Sequence, residues 1–79
     1  MDISIVKGHL EQAQQHIALG ERCISRQYAI IADLKKHGAD TAQAERLLAN
    51  FEELQEAHLA HLSRIELELV EVESKPRRP

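Results

Sequence analysis

Apolar residues return every seven positions through the first half of the chain. Ile3, Leu10, Ile17, Ile24 and Ile31 form one column, and Val6, Ala13, Gly20, Gln27 and Leu34 form a second, three residues further on. Spacing of three and four, sustained this long, predicts one helix with a coiled-coil-like seam over about residues 3–37. At ~1.5 Å per residue such a helix is roughly 50 Å long. The second column weakens in its middle, where Ala13, Gly20 and Gln27 are small or polar. A helical glycine costs about 1 kcal/mol relative to alanine, so Gly20 predicts close approach by a partner helix or a bulky side chain. Gln27 is either a buried polar residue that fixes register or an edge residue that reaches water.

The second half repeats the pattern through Ala44, Leu47, Leu48, Phe51, Leu54, His58, Leu62, Ile65, Leu69 and Val72. This predicts a second helix over about 41–72. Taken through Leu54, His58, Leu62 and Ile65, the steps match an eleven-residue unit, where a left-handed supercoil would relax. Beyond it Glu66, Glu68, Glu71 and Glu73 oppose the helix dipole, so fraying is expected past Val72.

Between the halves lies His37-Gly-Ala-Asp-Thr41. Gly38 is a helix stop, because glycine enters the left-handed region without steric cost. Asp40 is a helix start, and Gln43 three residues on completes a capping-box pattern. The chain must reverse at 38–40. The fold class expected is all-α: an antiparallel two-helix hairpin over residues 1–73, followed by a disordered tail, 74–79.

With the reversal centred on Ala39, residues equidistant from it should lie level. The expected seam holds Leu10, Ile17, Gly20, Ile24, Gln27 and Ile31 against Phe51, Leu54, His58, Leu62, Ile65 and Leu69. Gly20 falls opposite His58, Gln27 opposite Phe51, and Arg22 and Arg26 fall level with Glu56 and Glu52 as potential ion pairs. Cys23, Tyr28, Ile30, Leu59 and Leu67 stay outside that seam. One partner helix cannot cover them all, so they are expected to form a homodimer interface that completes a four-helix bundle.

Composition sharpens this picture. The 79 residues suffice for one small domain, and 43% are apolar, almost entirely Leu, Ile, Ala and Val, with one Phe, one Tyr and no Trp. Both prolines, Pro76 and Pro79, lie in the last four positions. The formal net charge of −3 argues against nucleic-acid binding, because the one basic cluster, Lys75 with Arg77 and Arg78, is short. No apolar run reaches the ~18 residues of a membrane span, and no signal peptide is recognisable. The single Cys23 cannot form an internal disulfide, which fits a reducing cytoplasm.

Candidate chemistry is thin. Five histidines raise a metal reading, with His9 and His16 on one helix and His58 and His61 on the other. His16 and His61 could approach, but neither His-Glu-x-x-His nor Glu-x-x-His is present. The expectation is no metal and no cofactor, with His58 packed and the others in water. Cys23 beside Arg22 lacks a base and an oxyanion site, and no phosphate-cradling loop exists, so no enzyme is expected.

The run from Gly20 to Leu34, with His37-Gly-Ala-Asp-Thr-Ala and Leu47-Leu-Ala-Asn-Phe-Glu, resembles small helical-hairpin proteins of proteobacteria. The resemblance covers roughly residues 9–65 and implies a two-helix unit without catalysis. The function expected is a helical interaction module that pairs with itself and docks on a protein partner. Two alternatives are a small regulator of a signalling protein or enzyme, and an accessory to nucleic acid or membrane using the basic tail.

Overall fold

A computed structural model describes residues 2–74. It contains two helices, α1 (Ile3–Lys36) and α2 (Ala42–Ser74), packed side by side as an antiparallel hairpin. Asp2 caps α1, its carboxylate accepting the Ser4 N–H at 3.0 Å.

The reversal is built from backbone bonds. Gly38 has φ +69°, the left-handed conformation that glycine adopts freely. The Gly38 N–H donates to Lys35 O at 3.1 Å and the Ala39 N–H to Leu34 O at 2.9 Å, the two bonds of a Schellman motif. Lys35 and Lys36 occupy the last turn of α1, where positive charge favours the dipole. Asp40 then accepts the Ala42 N–H at 3.0 Å and starts α2. The expected reciprocal bond from Gln43 is not formed among the described residues. At its far end α2 continues to Ser74, past the fraying point expected near Val72, and the Ser74 hydroxyl donates to Glu71 O at 3.3 Å. The rest of the expected tail, 75–79, lies outside the described residues.

The buried side of α1 carries Val6, Leu10, Ala13, Ile17, Gly20, Ile24, Gln27, Ile31 and Leu34, and the buried side of α2 Ala44, Leu48, Phe51, Gln55, His58, Leu62, Ile65, Leu69 and Val72. The steps alternate strictly between three and four in both. The expected eleven-residue unit is absent, because Gln55 rather than Leu54 faces α1. Gln55 is 8% exposed and Leu54 54% exposed.

The helices also meet almost one turn away from the expected register. Gly20 faces Gln55, not His58, and His58 stands against His16. The Gly38 turn pivots the chain nearer to α1 than a reversal centred on Ala39 would. Neither Arg22–Glu56 nor Arg26–Glu52 forms among the described residues. The Glu52 carboxylate instead accepts from the Tyr28 hydroxyl at 3.3 Å, and the His37 ring at the C-cap of α1 lies with Nδ1 2.8 Å from Asp33 O and 3.6 Å from the Asp33 carboxylate.

Packing is uneven along the rod. Val6, Ala13 and Ile65, with Leu10, Leu62, Leu69 and Val72 around them, make a core toward the open end. Ile31 and Leu48 are buried near the turn. Between them the buried places go to two glutamines. Gln27 Nε2 donates to Ala44 O at 2.9 Å, and Gln55 Nε2 donates to Ile17 O at 2.9 Å. Each helix thus sends one carboxamide to a main-chain carbonyl of the other. The Gln55 bond needs Gly20, because a β-carbon there would collide with the Gln55 carboxamide.

This predicts a reversal of sign. Gly20→Ala should destabilise the parent by about 1 kcal/mol in urea unfolding, because displacing a buried amide outweighs the helix-propensity gain. In a Gln55→Ala background the same change should stabilise by about 1 kcal/mol.

Candidate functional site: a notched apolar flank

The hairpin has two flanks where the helices meet solvent, and they differ in character. On one, the Tyr28 hydroxyl bonds Glu52, and Leu59 lies with Ile24 and Glu56 in a shallow hollow beside Glu52. This flank mixes apolar and charged groups. The other flank holds a notch of about 200 Å³ lined by His16, Leu19, Gly20, Cys23, Phe51, Leu54, Gln55 and His58. Toward the turn lies a second, more polar hollow, lined by Gln27, Ile30, Leu34, Ala44 and Leu47 together with Asp40, Gln43, Arg46 and Asn50. Toward the open end it passes into a hollow of His9, Gln12, Ala13, His16 and His61.

The notch follows from the packing. Gly20 contributes no side chain, and the Gln55 carboxamide fills only part of the space above it. Leu19 and Leu54 rise at the rim, 53% and 54% exposed. Two buried polar atoms in its wall, Gln55 Oε1 and His58 Nδ1, find no hydrogen-bond partner among the described residues. Gln55 Oε1 lies where a Gly20 β-carbon would stand, so it faces a Cα–H, a weak donor at best.

The residues expected at a dimer interface do not form one surface. Half-buried Cys23 and exposed Ile30 lie on the notched flank. Tyr28 and Leu59 lie on the opposite flank, and Leu67, 63% exposed, sits off both on the outer side of α2. A single two-fold contact cannot take them all. Leu19, Leu47 and Leu54 extend the notched flank and lie outside the expected interface set; the heptad spacing alone places Leu54 in the seam. Leu47 and Leu54 share a signal in spacing, since Leu47, Leu54, His61 and Glu68 are each seven apart, as are His9, His16, Cys23 and Ile30; Leu19 lies outside both columns.

Four of the five histidines border this flank. His16 and His58 stack with ring centroids 5.5 Å apart and planes tilted by 40°. His58 is half-buried, while His9, His16 and His61 are exposed. Among the described residues no group of three or more His, Cys, Asp or Glu side chains converges as metal ligands. No helix there is long and apolar enough to cross a membrane.

Comparison with family models, curated proteins and solved structures finds no match. The flank must therefore be read on its own chemistry.

The orphaned imidazole nitrogen gives a direct test. Replacing a buried, unpaired polar group by an apolar one of similar shape removes a desolvation penalty. His58→Phe should raise the urea-unfolding free energy by about 1 kcal/mol, whereas a loss would mean that His58 Nδ1 is paired in solution.

Proposed function

We propose that this chain is a non-enzymatic helical interaction module that associates with itself through the notched flank. The observation that carries this reading is a contiguous row of exposed apolar residues beside the notch, whereas Ile5, Tyr28, Leu59, Leu67 and Val70 are exposed elsewhere on the rod. Leu19, Ile30, Leu47 and Leu54, 42% to 54% exposed, line up with half-buried Cys23 along a single flank.

Leaving this surface in water is costly, at roughly 25 cal/mol per Å² of apolar area. The apolar row spans Leu19 to Ile30 on α1, roughly 17 Å at ~1.5 Å per residue, so a pair that reached the ~800 Å² each partner contributes to a standard interface would also cover the polar ends of the flank. A second hairpin supplies the same apolar strip and turns two helices into four, the usual way such a rod buries a wide stripe. A core divided by two glutamines adds to the advantage of pairing, since small single-core scaffolds gain only a few kcal/mol alone. The lone cysteine fits a reducing, cytoplasmic setting for the module. A protein partner that docks by laying an amphipathic helix into the same strip would use the same chemistry.

A charge on the notched flank should separate the copies while one on the other side should not. Ile30→Glu and Leu54→Glu are each expected to lower the particle mass from twice the chain's 9.0 kDa toward 9.0 kDa in sedimentation equilibrium. Tyr28→Glu and Leu67→Glu should leave it unchanged. A parent chain that sediments as a single 9.0 kDa species overturns the proposal.

A further inference from the structure

Resting on the reading that the chain pairs with itself through the notched flank, we propose that protons gate this pairing. A second copy seats on the flank only while the imidazoles of His9, His16 and His61 are neutral, whichever way that copy runs.

These histidines stand where a second copy would lie. His16 lines the notch together with His58, and His9, His16 and His61 line the hollow toward the open end. Because His16 belongs to both, any copy centred on the notch covers it. The apolar row itself is only about 17 Å long, so a pair of standard size covers the histidine hollow as well. In the single chain His9, His16 and His61 are exposed, and water solvates a proton taken up there. Pairing removes that water.

The surroundings supply no compensating charge. His16 faces His58 across the seam, ring centroids 5.5 Å apart, and shares its hollow with His9 and His61. Cys23 is the remaining titratable group of the notch. Among the described residues no carboxylate lines either space. The column of His9, His16, Cys23 and Ile30 carries no acid, and that of Leu47, Leu54, His61 and Glu68 carries one, at the open end beyond the imidazoles. Arg64, one turn from His61, adds positive charge to that helix.

A second copy brings no net negative charge either. Its hollow near the turn holds Asp40 with Arg46, which cancel, and its other hollow holds histidines. An imidazolium covered by either loses its hydration, and protonated rings brought together repel. Acid therefore separates the copies. Free imidazole takes up its proton at about pH 6.5, so pairing is strongest above that range and weakens as pH falls through it. One imidazole that must stay neutral in the pair weakens pairing about tenfold between pH 7.5 and pH 5.5.

Sedimentation equilibrium of the full chain at pH 7.5 and pH 5.5, at one ionic strength, tests this, since most side-chain carboxylates stay ionised at both. The dimer dissociation constant should rise at least about tenfold at the lower pH, with helicity by circular dichroism unchanged. Combining His9→Gln, His16→Gln and His61→Gln should hold the rise below about threefold. His37→Gln, which changes the histidine at the C-cap of α1, should leave the parent's rise in place. A constant that is equal at both pH values, that falls in acid, or that rises as steeply in the triple variant overturns the gate while leaving self-pairing intact. Loss of the helices at pH 5.5 overturns it too. A lone 9.0 kDa particle at pH 7.5 overturns the pairing itself.

Discussion

Two side-chain amides hold the alignment of this hairpin. Gln27 reaches from α1 to a carbonyl of α2, and Gln55 reaches from α2 to a carbonyl of α1. The helical carbonyls already accept within their own helices, so each glutamine uses a remaining lone pair. Leucine and isoleucine contacts are nearly indifferent to a slide of one turn, since the heptad offers the same kind of neighbour again. The amides are not indifferent. A slide would take Gln55 away from Gly20 and set its carboxamide against a position that carries a side chain, and a buried amide displaced from its acceptor costs about 1–3 kcal/mol. The apolar columns make the helices adhere, and the polar pair selects which of several adhesive alignments is used.

The single reversal and the helical class can be read from local chemistry. Gly38 and Asp40 act through their own backbone surroundings, and the bonds of a Schellman turn and a capping carboxylate depend on nothing further away. Register cannot be read this way. Whether position 54 or 55 of α2 faces inward depends on what α1 presents there, and a leucine next to a glutamine invites the wrong choice. The deciding fact is the gap at Gly20, which lets an amide be buried and bonded where a leucine could find only empty space. The same non-local dependence scatters the expected interface. Tyr28, Leu59 and Leu67 share with Cys23 and Ile30 only that they fall outside the seam, and the side on which each emerges follows from a register nearly a turn away from the one that spacing suggests.

The middle of the rod shows how specificity and exposure are linked. Placing glutamines and a glycine there removes large apolar groups from the seam and moves them to its edge, where Leu19, Ile30, Leu47 and Leu54 stand in solvent. The ends, with Val6, Ala13 and Ile65 at one and Ile31 and Leu48 at the other, hold together as ordinary hydrophobic contacts. Part of what is missing from the core in the middle stands instead as surface around the notch.

The tight turn also gives the molecule an order of assembly. In the unfolded chain, bringing Gln27 to Ala44 closes a segment with a separation of 17 residues, and bringing Gln55 to Ile17 closes one of 38. Loop entropy makes the wider closure about 0.7 kcal/mol harder. Once the nearer pair is joined, however, the next lies only a few helical turns beyond it. Closure from Gly38 outward is therefore the route with the smallest loop-entropy cost at each step, and the cluster of Val6, Ala13 and Ile65 lies at its far end.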